Sequence, residues 1–340
     1  MTASPIRSLG RSGIEVSALG LGCWAIGGPW TFNGAPAGWS EVDDAESVRA
    51  LRRALEVGVT FFDTAANYGA GHSERLLGRA FADRRDEVVI ATKFGYAIND
   101  AARSVDHYDS NEADSDVASR LRSDLDTSLK RLGTDHIDVY QLHVGGLALA
   151  RALEARDVLD DMVAAGKIRT YGWSTDRADV IRPFATSPGC GVVQHGLSVL
   201  DDTNTELIAL CEELGLASII RSPLGMGLLT GKFTAETTFP SNDQRRIAQW
   251  HAGFKNGTPT QHWLDQLASI GDVLTSNGRT LAQGALAWIW ARSPSAIPIP
   301  GFKTVAQVDE NCGALEKGPL TPAELLEIDS ILGGAQHAPA

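Results

Sequence analysis

The amino-acid sequence predicts an α/β fold, a closed (β/α)8 TIM barrel with a short N-terminal β-hairpin and long loops at its C-terminal mouth. From about residue 14 onward, short β-branched or apolar runs alternate with longer stretches of helical period. Eight such runs occur. Apolar strands that alternate with helices indicate a parallel sheet buried on both faces, and eight such units imply a closed barrel.

The predicted elements follow one another in regular order along the chain. The strands are residues 16–22, 60–65, 87–93, 136–143, 168–174, 191–196, 217–222 and 296–301. The helices are residues 44–57, 73–82, 116–132, 151–165, 176–185, 204–214, 261–277 with 280–292, and 304–314. Several helices end on a glycine that favours a left-handed C-cap, namely Gly58, Gly133, Gly166 and Gly215.

One domain is expected over residues 1–340, because no linker, low-complexity segment or sequence repeat interrupts this pattern. Residues 1–15 form the expected hairpin, which would plug the barrel floor, and residues 333–340 form a flexible tail.

No apolar run approaches the roughly 20 residues of a membrane span, and the first residues lack the apolar segment of a secretory signal.

Composition excludes several classes of partner. The net charge of -12, without a cluster of lysine or arginine, argues against nucleic acid and membrane surfaces. The four cysteines are scattered without C-x-x-C pairs, so we expect no metal site and a reduced, cytoplasmic setting. A small molecule is the expected partner, and the protein is expected to be a monomer or a small homo-oligomer.

Four polar residues stand near the ends of predicted strands, where a barrel carries its chemistry. Asp63, Lys93 and His143 end the second, third and fourth strands, and Tyr68 follows the second. An ammonium group beside a phenol favours phenolate, and a carboxylate keeps that ammonium charged and oriented. Histidine orients a carbonyl oxygen or relays a proton. The set predicts proton transfer for a carbonyl and alcohol pair.

Each of these residues also has an ordinary structural explanation. The aspartate would anchor a loop, the tyrosine would pack in a turn, the lysine would extend along the rim, and the histidine would lie in the core. An unrelated barrel, such as a phosphosugar lyase or isomerase, would explain Lys93 but not the other three residues. Spacing and placement favour one site over four coincidences.

The motifs that carry these residues resemble those of the aldo-keto reductases, a family of NADP-dependent (β/α)8 oxidoreductases. D-T-A-x-x-Y-G at 63–69, S-E-x-x-L-G at 73–78, T-K at 92–93 and D-V-Y-Q-L-H at 138–143 match in order. The resemblance implies that Tyr68 is the general acid, that Lys93 lowers its pKa, that Asp63 pairs with Lys93 and that His143 orients the substrate carbonyl.

The resemblance also implies an NADPH site, with NADPH preferred over NADH. The glycine-rich loop SPLGMGLLTGK at 222–232 lets backbone amides approach a pyrophosphate, and PGFKTVAQVDEN at 300–311 opens a helix whose N-terminus suits a phosphate. Lys303 is placed for the 2′-phosphate. The expected cofactor residues are Gly22, Trp24, Asp63, Ser174, Thr175, Gln194, Arg221, Ser222, Pro223, Leu224, Gly225, Gly227, Lys232, Gly301, Phe302, Lys303, Gln307, Glu310 and Asn311.

Three of these positions depart from the family pattern. Thr175 replaces the usual asparagine, and Gln307 replaces an arginine near the adenosine phosphate. Arg221 stands at a commonly aromatic position, where its planar guanidinium can also stack on nicotinamide. Its charge would disfavour the cationic oxidised ring, so we expect NADPH to bind more tightly than NADP+, unless Arg221 turns aside to pair with an acidic residue.

Aromatic residues in the mouth loops indicate the substrate pocket. Tryptophan faces beside polar groups suit a sugar, and they equally suit an apolar aldehyde. The expected substrate contacts are Trp24, Trp30, Tyr68, His143 and Trp250. The function expected is hydride transfer between nicotinamide and a small aldehyde, ketone or sugar. The alternative is a cofactor-bound regulatory or redox-sensing subunit with slow catalysis.

Overall fold

A computed structural model describes residues 5–108, 117–247 and 251–336. Eight parallel strands form one sheet in chain order, and a bridge between Gly22 and Gly301 closes it into a barrel. The predicted (β/α)8 fold is thereby confirmed. The strands are β1 (Gly20–Gly22), β2 (Phe61–Asp63), β3 (Val89–Phe94), β4 (Ile137–Leu142), β5 (Ile168–Ser174), β6 (Cys190–Gly196), β7 (Ala217–Arg221) and β8 (Ile297–Pro298).

Helices cover the outside of the barrel. The α-helices are Asp44–Glu56, His72–Phe81, Val117–Leu132, Leu149–Ala164, Ala178–Phe184, Thr205–Glu213, Gln244–Ile247, Gln261–Leu274, Leu281–Arg292, Val305–Cys312, Ala314–Lys317 and Pro322–Gln336. The last of them ends at Gln336, so the predicted tail at 333–340 begins as helix. None of the helices that the structure describes is long and apolar enough to cross a membrane.

The predicted first strand is two strands. Glu15–Ser17 pairs antiparallel with Ile6–Ser8, and only Gly20–Gly22 joins the barrel. The hydroxyl of Ser17 donates to the carbonyl of Leu19 (2.6 Å), which turns the chain between the two segments. The hairpin therefore extends past residue 15, and the barrel strand is shorter than its apolar run.

The hairpin closes the barrel floor, as the sequence predicts. Leu9, Ile14 and Val16 are buried in one cluster with inward side chains of the barrel strands. The guanidinium of Arg11 donates to the carbonyls of Cys190 (2.9 Å) and Ala185 (2.5 Å) beside β6. Apolar burial and these hydrogen bonds fix the hairpin against the N-terminal ends of the strands.

Gly10→Ala should test how tightly this plug fits. Gly10 has a φ of +54°, and an added Cβ would lie 2.4 Å from the carbonyl oxygen of Gly191. We expect the free energy of unfolding to fall by about 2–4 kcal/mol, since both strain and backbone overlap oppose the substitution. Urea denaturation would measure it. Gly13→Ala is the matched control, because Gly13 also has positive φ but has open space around it; equal losses for the two variants would contradict the tight fit.

Two small sheets lie in the mouth loops. The loop after β1 forms Thr31–Phe32 and Ala35–Pro36, the loop after β3 forms Ala97–Asn99 and Ser104–Asp106, and these four strands pair in one sheet. A second hairpin, Phe254–Lys255 with Thr258–Pro259, follows β7. These loops build walls above the C-terminal ends of the barrel strands.

Candidate active site

The four residues predicted to be catalytic meet at the C-terminal mouth of the barrel. Asp63 is the last residue of β2, Lys93 is the penultimate residue of β3, and His143 directly follows β4. Tyr68 lies in the turn between β2 and the helix His72–Phe81. Parallel strands bring their carboxyl ends together, which is why residues far apart in sequence converge here.

The turn that carries Tyr68 is held against the loop after β1. Gly69 has a φ of +64°, and a Cβ there would lie 2.2 Å from the carbonyl oxygen of Gly27. A glycine is therefore required at this close approach. The hydroxyl of Ser73 donates to the carbonyl of Cys23 (2.8 Å) and anchors the start of the following helix. These contacts fix the position of the phenol.

Lys93 is the centre of the hydrogen-bond network. Its Nζ donates to Asp63 Oδ1 (2.5 Å), to the carbonyl of Thr64 (2.9 Å) and to Tyr68 Oη (3.4 Å). Lys93 is 0% exposed and Asp63 is 1% exposed. A buried ion pair with these additional hydrogen bonds holds both side chains in one geometry.

The second carboxylate oxygen of Asp63 accepts from two glutamines. Gln194 Nε2 lies 2.8 Å from Asp63 Oδ2, and Gln141 Nε2 lies 3.1 Å from it. Both glutamines are buried. The carboxylate therefore has donors on both oxygens, and its orientation toward Lys93 is fixed from behind. The sequence interpretation did not assign Gln141 to the site, although it lies two residues before His143 and so points to the same side of β4.

The electrostatics of the site favour a protonated phenol. Burial raises the pKa of Tyr68 above its ordinary value, and the positive charges of Lys93 and Arg221 offset only part of that rise. Lys93 lowers this pKa, and the effect of burial outweighs its contribution. Burial alone would lower the pKa of Lys93, but Asp63 and Tyr68 raise it, so the lysine is an ammonium.

His143 is a neutral imidazole that lies next to Tyr68 in the site. Burial and the charges of Lys93 and Arg221 hold its pKa well below the ordinary range. Its Nδ1 is buried and has no hydrogen-bond partner among the residues that the structure describes. A proton there would have no acceptor, so the tautomer with the proton on Nε2 is favoured. The ring packs edge-on against Tyr68, with centroids 5.8 Å apart.

A cavity of about 920 Å³ opens above the tetrad, which is formed by Asp63, Tyr68, Lys93 and His143. Aromatic rings form one wall: Trp24 stacks on Tyr68 at a centroid distance of 6.0 Å, and Tyr96 packs against both His143 and Phe32. The volume lies at the upper end of the roughly 300–1,000 Å³ that is typical of ligand pockets. It has room for a ligand larger than a small carbonyl compound.

Most of the predicted binding residues line this one cavity. Lys93 lies behind Tyr68 and Asp63 and does not line it, and neither does Gly225. Trp250 lies outside the described residues. Those that line it are Gly22, Trp24, Trp30, Asp63, Tyr68, His143, Ser174, Thr175, Gln194, Arg221, Ser222, Pro223, Leu224, Gly227, Lys232, Gly301, Phe302, Lys303, Gln307, Glu310 and Asn311.

One end of the cavity carries three cationic side chains, Lys232, Arg245 and Lys303. Burial and the charge of Arg245 hold the pKa of both lysines below the ordinary value. Arg245 pairs with buried Asp243 (2.6 Å), whereas neither lysine forms an ion pair within the described part of the chain. The arrangement suits an anion, because a phosphate would relieve the repulsion among the cations.

Arg221 does not present a free charge to the cavity. Its guanidinium forms an ion pair with Asp176, which follows β5. Pairing with an acidic residue, the alternative that the sequence left open, is the arrangement found, and tighter binding of NADPH than of NADP+ stays a prediction. Thr175 is buried beside Asp176, and its hydroxyl donates to the carbonyl of Gly145 (2.9 Å).

Sequence reasoning missed three charged residues of the cavity, Asp176, Arg177 and Arg245. Asp176 is adjacent to the recognised Ser174 and Thr175, so its position next to a motif was an available signal. Arg245 lies in the long connection after β7, where no motif or periodicity marks it. Its guanidinium is placed by Asp243 and by the rings of Trp39 and Phe239, at 5.0 and 4.0 Å from their centroids.

Comparison with known proteins agrees with this geometry. The sequence model of the Aldo/keto reductase family matches residues 18–333. The chain belongs to this family. As an aldo/keto reductase it is an oxidoreductase, and the predicted resemblance is confirmed.

Similar aldo/keto reductases extend over nearly the whole chain. The aldo-keto reductase yakc of Schizosaccharomyces pombe, whose name specifies NADP(+), is 33% identical over 98% of this chain and 92% of its own length. The glycerol dehydrogenase AKR11B4 from Gluconobacter oxydans superposes with a TM-score of 0.79 at 26% identity, covering 100% of this chain and 98% of its own. AKR11C1 from Bacillus halodurans, in its holo form, gives 0.75 at 26% identity, covering 96% of both chains.

Proposed function

We propose that the protein transfers a hydride between a nicotinamide cofactor, NADPH in preference to NADH, and the carbonyl carbon of a small aldehyde, ketone or sugar. The observation that carries the proposal is the Lys93 network. Lys93, in a buried ion pair with Asp63, donates a hydrogen bond to the phenol of Tyr68, which faces a cavity large enough for a cofactor and a small substrate. This is the arrangement that proton transfer to a carbonyl oxygen requires.

The proposed roles follow from the protonation states. In reduction, Tyr68 donates its phenolic proton to the carbonyl oxygen as hydride reaches the carbon. Lys93, held as an ammonium by Asp63, stabilises the phenolate that remains. Neutral His143 donates its Nε2 proton in a hydrogen bond to the same oxygen and fixes the face of the carbonyl. In oxidation the phenolate of Tyr68 accepts the hydroxyl proton.

The cavity residues fit a dinucleotide. The backbone of 222–227 has positive φ at Ser222, Gly225, Met226 and Gly227, a conformation of the kind that binds anions such as a pyrophosphate through backbone amides. The cationic end suits the 2′-phosphate, and Glu310 and Asn311 line the adjoining wall, where they would hold the adenosine. Ser174 and Gln194 lie at the tetrad end, where they would hold the carboxamide. When bound, the cofactor supplies the hydride.

A reducing compartment such as the cytoplasm is the proposed location, and one domain remains the proposed organisation. All four cysteines are buried free thiols, which supports the first proposal. The names of two relatives support the choice of chemistry, since one specifies NADP(+) and the other a glycerol dehydrogenase.

Arg245→Gln should weaken NADPH selectively. If the guanidinium contacts the 2′-phosphate, the dissociation constant of NADPH should rise about tenfold while that of NADH stays unchanged, since only NADPH carries this group. Fluorescence titration measures both constants. Arg246→Gln is the matched control, because Arg246 donates to the carbonyl of Phe239 and does not line the cavity. An equal loss for NADPH and NADH would mean that Arg245 only supports the loop.

The proposed function is tested by following NADPH consumption at neutral pH with a panel of aldehydes, ketones and aldoses. NADH is run in parallel, and the matching alcohols are run with NADP+. Turnover with NADPH above NADH is expected. Tight NADPH binding without turnover of any compound would instead favour the regulatory alternative, and absence of nicotinamide binding would overturn the proposal.

A further inference from the structure

Asp176 and Arg221 bridge the mouth of the barrel from two different strands. Asp176 follows β5 and Arg221 ends β7, so their ion pair crosses the carboxyl end of β6. Asp176 Oδ1 also accepts from the backbone N–H of Gly196, the last residue of β6 (2.8 Å). A Cβ on Gly196 would lie 3.2 Å from Arg221 Nη1, so the guanidinium rests against bare backbone.

The bridge belongs to the wall of the cavity near the tetrad. Asp176 and Arg221 line the same cavity as Tyr68 and His143. The charge of Arg221 acts on both groups: it contributes to the lowered pKa of His143, and it offsets part of the rise that burial causes in the pKa of Tyr68. The side chain of Arg221 is 33% exposed and that of Asp176 is 40% exposed, so solvent screens their effect on a neighbouring ligand without abolishing it.

A guanidinium that is paired with a carboxylate repels a neighbouring cation less than an unpaired guanidinium does. The oxidised nicotinamide ring carries a positive charge and the reduced ring is neutral, so an uncompensated guanidinium would repel only the oxidised form. The carboxylate of Asp176 offsets that repulsion. We propose that Asp176 is a specificity-determining residue that, as the counter-ion of Arg221, sets the relative affinity of the site for oxidised and reduced cofactor. The inference rests on the proposed function.

Three variants separate this charge effect from structural support. Asp176→Asn keeps an oxygen that can accept from the N–H of Gly196 but removes the charge. Arg221→Gln removes the opposite charge, and the double variant removes both. For each protein, the dissociation constants of NADPH and NADP+ are measured, by cofactor fluorescence for the first and quenching of tryptophan fluorescence for the second.

The expected results are opposite in sign for the two single variants. In Asp176→Asn the ratio of the NADP+ to the NADPH dissociation constant should rise about five- to tenfold, chiefly through weaker NADP+ binding. In Arg221→Gln the ratio should fall, because the carboxylate is left alone and attracts the oxidised ring. The double variant should return to within about twofold of the parent ratio, since both charges are absent.

Glu213→Gln is the matched control. Glu213 pairs with Arg182 on the outside of the barrel, and neither residue lines the cavity, so its variant should leave the ratio unchanged. Equal weakening of NADPH and NADP+ in Asp176→Asn would show that Asp176 only supports the loop and would overturn the proposal, as would an unchanged ratio. If the parent protein binds neither form, the proposed function itself fails and this inference falls with it.

Discussion

Tyr68→Phe should lower kcat/KM for carbonyl reduction by about 100- to 10,000-fold, the usual contribution of a positioned general acid. The substitution removes only the phenolic hydroxyl, and the ring can keep its stacking on Trp24. The hydroxyl's one hydrogen bond to the described residues, from Lys93, is long at 3.4 Å, so its loss costs the fold little. The dissociation constant of NADPH should therefore stay within about twofold of the parent value, a difference worth less than 0.5 kcal/mol.

Tyr96→Phe provides the control for this variant. Tyr96 lines the same cavity and packs on His143, yet its hydroxyl forms no hydrogen bond with Lys93 or Asp63 in the described structure. It should retain turnover to within about tenfold, because at most one substrate hydrogen bond is lost. Comparable losses in the two variants, or retained turnover in Tyr68→Phe, would mean that a different group delivers the proton.

The raised pKa of Tyr68 adds a pH dependence to the same test. A phenol that titrates above its ordinary pKa of about 10 stays protonated through neutral pH, so the reduction rate should be constant from about pH 6 to 9 and fall above that range. Oxidation needs the phenolate, so its rate should rise with pH across the same range. The pH profile of both directions, measured with the parent protein, checks this sign.

The sequence predicts the barrel and the tetrad for one shared reason. Apolar β-branched runs mark the strands because a parallel sheet is buried on both faces, and strand ends then locate Asp63, Lys93 and His143 without any knowledge of the loops. The first strand is the exception. Its apolar run continues through Ser17, and only the hydrogen bond from Ser17 to Leu19 shows where the hairpin ends and the barrel begins.

Contacts that depend on side-chain direction could not be predicted. Arg221 could reach a ligand or an acidic neighbour, and its choice of Asp176 depends on a contact across β6 between residues 45 positions apart. Arg245 acquires its place from Asp243 and from aromatic rings in a connection without periodicity. Local propensity and hydrophobic pattern carry no information about such contacts, because many rotamers satisfy both.

Lys93→Met should separate the catalytic use of the buried ion pair from its structural cost. The methionine fills a similar volume but leaves the carboxylate of Asp63 buried without a counter-ion, although Gln141 and Gln194 still donate to it. We expect the free energy of unfolding to fall by about 3–5 kcal/mol, as for other buried pairs that lose one partner. Turnover should fall at least as far as in Tyr68→Phe, because among the described residues only Lys93 donates a hydrogen bond to the Tyr68 oxygen and so stabilises its phenolate directly.

The double variant Lys93→Met with Asp63→Asn removes the uncompensated charge. Its stability should recover by more than half of the loss, because the neutral amide no longer requires a counter-ion and can still accept from the two glutamines. Its turnover should stay as low as that of Lys93→Met, since the ammonium is still missing. Urea denaturation and NADPH oxidation measure the two quantities. Recovery of turnover together with stability would show that Lys93 serves the fold alone, whereas stability without turnover assigns the ammonium to the chemistry of Tyr68.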